Sequence, residues 1–433
     1  MRCEALVNPG GRPKTFGRLG RDSHPTPSSK PAPEWDKLRS LFPIAADWID
    51  LSSMLITSHP APVAEAIDRY RKALDLYPNV FLEENNRMLL TEARKSVSRY
   101  FGGITAEEIA LTDSTTMGVS LVYNGLRLRA GQEVLTTQQD YYVTHESLRL
   151  ATARSGASVR RISHCDEAEL SRVTVDELTD RIIREIRPES RAVALTWVHS
   201  STGLKLPIRS IAAAIAEINS EREPDVHVLL CVDGVHGFGN QSESFADLGC
   251  DFFMTGCHKW MFGPRGTGFV AATTKGWLAV APTIPSFFDI GAYGRWMRNE
   301  PAEVTTSDAF MPGGYKAFEH MWAIPEAFAL HESIGKTRIA ERTAELASQL
   351  KEGLRGIGKV VLRTPLSPEL SAGIVSLDID GLRPGQVVRE LRSRKIVASV
   401  APYATPHVRL SPSVRNSPED IERVLSQLYE LAV

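Results

Sequence analysis

The chain has no excess of charge of either sign. Fifty Lys and Arg residues stand against 52 Asp and Glu, a formal net charge of -2. Without a strong field, the composition carries no footprint for nucleic acid or an anionic membrane surface, and neither is expected as a partner. No apolar stretch approaches the roughly 18 residues of a membrane-spanning helix. Cysteine is scarce. Cys3, Cys165, Cys231, Cys250 and Cys257 show no CxxC spacing and no paired framework. They read as free thiols in a reducing cytoplasm, and no metal is expected. Residues 1–33 carry positive charge but no apolar core, so a secretory signal is not expected there.

What the chain does have is enough apolar residue for a large core. It runs to 433 residues, 42% hydrophobic and 24% charged, which suits one large domain and a smaller one. Residues 1–33 are rich in Gly, Pro, Ser and Arg and predict a flexible arm. Residues 34–60 are expected to pack on a small C-terminal domain. Residues 61–325 are expected to form the large domain and 326–433 the small one.

Helical spacing marks Val63, Ile67, Tyr70 and Leu74, with Pro78 as the stop. A second stripe, Leu90, Ala93, Val97 and Phe101, ends at Gly102-Gly103. Strand and helix patterns then alternate for some 200 residues. The strands are "EIALT" (108–112), "QEVLTT", "RAVALTWV" (191–198), "VHVLLCVD" (226–233), "FFMT" and "GTGFVAAT". Such alternation predicts an α/β domain with a mostly parallel sheet, whose ligands sit beyond the carboxyl ends of the strands. After about Phe328 a long helix (326–353) and shorter α and β patterns predict a smaller α+β domain.

Three strand ends carry chemistry. "TDSTTMG" opens a helix with Ser114, Thr115 and Thr116. Free N–H groups and hydroxyls there form a phosphate cradle, or simply a well-capped helix. Asp233 ends an apolar strand, with His236 three residues on. It is an ordinary turn carboxylate, or the partner of a cationic ring nitrogen. Lys259 follows the next strand, flanked by His258 and glycines. It is a surface lysine, or a desolvated amine able to form an imine. A cradle, a carboxylate and an amine at neighbouring strand ends match what pyridoxal 5'-phosphate requires.

The stretch Asp233-Gly-Val-His236, followed by "HKW…GPRGTGF", resembles the class V aminotransferase family of fold-type I pyridoxal-phosphate enzymes. Within it, the motif is similar to the isopenicillin N epimerase-like branch, beside cysteine desulfurases. The resemblance covers nearly all of the chain after about residue 45. It implies a seven-stranded, mostly parallel sheet sandwiched by helices, and a homodimer with active sites at the interface.

Residue by residue, the resemblance implies Lys259 as the Schiff-base lysine and the base that moves the Cα proton. Asp233 would pair with the ring nitrogen and His236 would lie near the ring's phenolic oxygen. His258 and Thr255 would reach the phosphate with Thr115 and Thr116. Tyr141, after Asp140, takes the ring-stacking place, with Tyr142 as the alternative; Tyr141 also reads as a core aromatic. Ser200, after His199, stands where the family has an Asn near the ring oxygen. Arg409 matches the arginine that holds an α-carboxylate; it also reads as a surface arginine. Gly313-Gly314 replaces a Gly-Thr pair that reaches the partner subunit's phosphate.

No cysteine follows Cys257, which argues against desulfurase chemistry, since that needs a nucleophilic thiol in the C-terminal third. The remaining readings are a β-lyase acting on an S-substituted cysteine, a Cα epimerase, an aminotransferase and a decarboxylative, sometimes oxidative, deaminase. The lyase is favoured, as an enzyme of natural-product or sulfur metabolism. Epimerisation asks for a second proton donor, for which Tyr141, Tyr142, His145 and Tyr315 are candidates. A dinucleotide-binding protein is disfavoured because no GxGxxG follows the first strand. A fold kept only for binding is disfavoured by Lys259, Asp233 and Arg409 together.

Overall fold

The computed structural model describes residues 35–301 and 306–433. The expected arm, residues 1–33, lies outside them. A short strand, β1 (Ile49–Asp50), comes first. The large sheet is built from β2 (Ile109–Thr112), β3 (Glu133–Thr137), β4 (Ser158–Ile162), β5 (Ser190–Thr196), β6 (Leu229–Asp233), β7 (Phe252–Gly256) and β8 (Gly268–Ala272). Its order is β2-β8-β7-β6-β5-β3-β4. Only β8 runs against its neighbours; the other pairings are parallel. Strands β2, β3, β5, β6, β7 and β8 are buried along their whole length or nearly so. Near-continuous apolar runs suit a sheet covered by helices on both faces.

The smaller sheet is antiparallel, in the order β12-β13-β10-β9. Its strands are β9 (Val360–Leu362), β10 (Val375–Ile379), β12 (Ser399–Val400) and β13 (Val408–Leu410), with β11 (Ile396–Val397) beside them. β11 pairs in parallel with β1. Ile49 and Leu51 share a core with Leu346, Leu377, Val408 and Leu428. The segment before the large domain is thereby tied to the far end of the chain.

Two helix boundaries differ from the sequence expectation. Pro78 ends the helix Ala61–Leu76, and it also starts the next, Pro78–Phe101. Proline suits the first turn, where its missing N–H would have no partner anyway. The expected long helix 326–353 is two helices, Ile324–Ile334 and Lys336–Arg355. Gly335 separates them at φ +102°, outside helical geometry. Strand β4 escaped the sequence reading because its pattern, Ser-Val-Arg-Arg-Ile, is half exposed.

Among the described residues no helix is long and apolar enough to cross a membrane.

Candidate active site

The carboxyl ends of β2, β5, β6 and β7 converge on a cavity of about 250 Å³. Ser114, Thr115, Thr116, Tyr141, Ser200, Asp233, His236, His258, Lys259 and Arg409 all line it, with Met54, Leu55, Val143, Thr196, Val235 and Pro402. Sequence positions 295 apart thus meet within one space (409 less 114).

Lys259 sits in the β7–β8 turn. That turn is held by Cys257 N–H donating to Thr267 O and Gly263 N–H donating to Cys257 O at 2.8 Å. From outside, the Thr57 hydroxyl donates to the carbonyls of both His258 and Lys259. The turn needs its glycines. A Cβ on Gly256 would lie 2.9 Å from the His258 ring and 3.0 Å from Thr115 Oγ1. The missing side chain keeps that corner open between two polar groups.

Burial dominates the electrostatics. It lowers Lys259 to about 8, although Asp233 pulls the other way. Burial raises Asp233 to about 6, against the Val235 N–H donated to its Oδ1 and the charge of Lys259. Burial, helped by Lys259, holds His258 down at about 4 and keeps His236 well below its ordinary value. Both imidazoles are therefore neutral at pH 7.

Pyridoxal phosphate fits this wall by a direct test. Thr115 Oγ1, Thr196 Oγ1, His236 Nδ1 and His258 Nδ1 are buried with no hydrogen-bond partner among the described residues. Buried polar atoms are rarely left so. Ser114 caps the helix Thr115–Gly125 by accepting from Met117 N–H. The first N–H groups of that helix are left for an anion. Orphaned donors of this kind suit a phosphate, and a buried carboxylate suits a ring N–H.

Tyr141 immediately precedes the helix Tyr142–Ser155, makes no side-chain cap to it, and follows Asp140. The buried Asp140 carboxylate accepts from Thr136 Oγ1, Thr137 N, Thr137 Oγ1 and Thr196 N at 2.7–2.9 Å. It ties β3 to β5 and aims the following residue at the cavity. Arg409 lies on β13, buried, and burial lowers it to about 10. Its Nε donates to Ser399 Oγ, Nη1 to Ser200 O and Nη2 to Val400 O. Of five N–H groups, one on each terminal nitrogen is left over.

Some expected residues stand elsewhere. Thr255 is buried in β7 and its hydroxyl donates to Gly256 O; it does not line the cavity. Gly314 and Tyr315 line a second, larger cavity of about 850 Å³ beside the helix Pro78–Phe101. Tyr142 is 68% exposed, and His145 Nε2 is spent on Thr137 O. Of the four tyrosine and histidine candidates for a second proton donor, only Tyr141 reaches the site. The sequence reading missed Tyr403, whose hydroxyl is 2.7 Å from Ser200 Oγ. Its one signal was a lone aromatic in the turn before Arg409.

This fold and site define a fold-type I pyridoxal-phosphate enzyme. The aminotransferase class-V family matches residues 57–424, and the chain belongs to that family. It is 27% identical over 413 residues to isopenicillin N epimerase of Streptomyces clavuligerus, covering 92% of this chain and 98% of that one. A probable cysteine desulfurase of Vibrio cholerae is 21% identical over 426 residues, covering 91% and 98%. Among solved structures, the complex of the cystine C–S lyase C-DES with cysteine persulfide superposes with a TM-score of 0.80 at 22% identity, covering 90% and 99%.

Proposed function

We propose that this enzyme cleaves the C–S bond of an S-substituted cysteine by β-elimination. The carrying observation is a wall that, among the described residues, has one amine, Lys259, facing one arginine, Arg409, and no thiol. When bound, the cofactor weakens the bonds at the substrate Cα. Lys259 holds the cofactor and, with its proton affinity lowered to about 8, takes the Cα proton. Asp233 would pair with the ring nitrogen, and Thr115, Thr116 and His258 would hold the phosphate. His236 and Ser200 would serve the ring oxygen. Tyr141 would stack on the ring. The two leftover N–H groups of Arg409 take the substrate α-carboxylate as a pair.

The reaction breaks the Cα–H and Cβ–S bonds. The thiol leaves with a proton, and water releases the remaining three-carbon amine as pyruvate and ammonia. One base suffices. Desulfurase chemistry, by contrast, needs an attacking thiolate. The described cysteines, Cys165, Cys231, Cys250 and Cys257, are all buried. Burial raises Cys257, the one nearest Lys259 in sequence, to about 12.

Cα epimerisation is the second reading, supported by the isopenicillin N epimerase relative that the chain matches over 98% of its length. Tyr141 would then supply the opposite proton. The homodimer is part of the same proposal. Gly314 and Tyr315 at the 850 Å³ cavity lie near Phe287 and Ile290, exposed by 66% and 60%. Adding S-methylcysteine to the holoenzyme tests the reaction. Pyruvate with methanethiol in equal amounts supports the lyase. Cα deuterium exchange without pyruvate means epimerisation, and an aldehyde with carbon dioxide means decarboxylative deamination. Sedimentation of the pure protein tests the dimer.

A further inference from the structure

Ser200 is gripped at both ends by the C-terminal sheet. Its carbonyl accepts from Arg409 Nη1 at 2.8 Å, and its hydroxyl meets Tyr403 OH at 2.7 Å. Arg409 comes from β13 and Tyr403 from the turn joining β12 to β13. Ser200 comes from the large domain, in the loop after β5. That loop is pinned elsewhere too: Ser201 O accepts from Ser376 Oγ, Thr202 O from Thr364 Oγ1, and the His199 ring meets Gln139 O at 3.2 Å. His199 N–H donates to Leu204 O. Among the described residues, the Tyr403 contact is the one hydrogen bond that restrains the Ser200 side chain. It acts on the residue whose carbonyl is one of the three acceptors that orient the arginine, beside Ser399 Oγ and Val400 O.

The Tyr403 ring also lies 5.9 Å from the Tyr141 ring at 57°, at the edge of the cavity. Burial keeps its phenol protonated well above the usual range. Ser200 and Tyr403 share two hydroxyl hydrogens. One is used between them, and the other is left to a further acceptor.

We infer that Tyr403 is a positioning residue for carboxylate recognition: its hydroxyl, acting through Ser200, fixes the angle at which Arg409 offers its two remaining N–H groups. The inference rests on the reading of Arg409 as the carboxylate site. Removing the hydroxyl frees one end of Ser200 and so loosens one of the three anchors of the guanidinium. A bidentate pair suffers most from such loss, because both bonds depend on one plane.

The test uses the holoenzyme and two ligands that differ by the carboxylate alone, S-methylcysteine and 2-(methylthio)ethylamine. Each is titrated while the cofactor absorbance is followed, for wild type, Tyr403→Phe, Ser200→Ala and the double variant. Tyr403→Phe is expected to weaken the amino acid by about 5- to 30-fold and to leave the amine within about 2-fold. The loss should fall in KM rather than kcat. The double variant should be no worse than the worse single one, since both cut the same bond. Equal loss for both ligands, no loss for either, or additive single losses would overturn the inference. Should Tyr403→Phe not fold, Tyr403→Leu removes the same hydroxyl without altering Ser200, and its outcome decides. Arg409→Ala separates the two levels. If it leaves the preference for the amino acid intact, the carboxylate reading has failed, and Tyr403 falls with it.

Discussion

Two buried groups of ionisable side chains lie two residues apart in the chain and obey opposite rules. Arg409 faces the Lys259 cavity, where charges have few partners. Burial there drives Lys259 down, Asp233 up and His236 down. His407, just before β13, is equally buried but fully partnered. Its Nδ1 lies 3.0 Å from the Asp378 carboxylate and its Nε2 3.1 Å from Glu167 Oε1. Arg363 Nε reaches Asp378 at 2.8 Å. Burial pulls His407 down, yet the bonds and charges of Asp378 and Glu167 outweigh it and leave it raised. Asp378 is lowered, although burial alone would raise it. The two groups differ in whether each charge finds its opposite within reach. A cofactor site leaves charges open for a ligand to complete, whereas a structural cluster closes them.

The largest effect should come from breaking the first group. Lys259→Ala should abolish the covalent linkage to the cofactor and cut turnover by on the order of 10⁴-fold. Absorbance near the violet edge and pyruvate release would both read it. Asp233→Asn should keep that linkage but lower kcat by about 10²-fold or more, because a neutral amide does not favour a protonated ring nitrogen. An unchanged kcat would remove Asp233 from the mechanism. Arg409→Ala should raise KM for amino acids by about 100-fold, the worth of two charged hydrogen bonds.

Breaking the second group should touch stability and not chemistry. His407→Ala takes one partner from each of two carboxylates that Arg363 still reaches, and should cost about 1 kcal/mol, since the Glu167 side chain is 38% exposed. Its sign in pH is fixed by the shifts. The raised His407 contributes fully below its unfolded value of 6.5, and the contribution fades as pH rises through the folded value. The lowered Asp378 contributes above 3.8 and fades as pH falls through its own folded value. Thermal unfolding from pH 6 to pH 9 should therefore lose more stability in wild type than in His407→Ala. Equal slopes would mean that the cluster is not charged as described.

The smallest effect concerns the open amine. Cofactor uptake by the cofactor-free protein needs neutral Lys259, so its rate should rise through about pH 8 and then level. A rise continuing to pH 10.5 would mean that the lysine is not desolvated.

Much of this was legible in the chain. Alternating apolar strands and helices announced the sheet because burial on both faces leaves no polar register to read. Asp233 and Lys259 announced the site because an ionisable residue at the end of an apolar run is costly without a purpose. Helix joints were harder. Pro78 both stops and starts a helix, and Gly335 breaks a run whose periodicity continues through it.

The sequence by itself determined which side chains stand at the ends of apolar strands and so could meet there, since a polar residue marks where a buried run stops. Only the tertiary structure decided which of them do. Thr255 looks equivalent to Thr115 in the chain, but it turns its hydroxyl to a neighbouring carbonyl and away from the cavity. Tyr403 became visible only beside Ser200, 203 residues away. Hydrogen bonds act over about 3 Å in space, and no spacing along a chain encodes that distance.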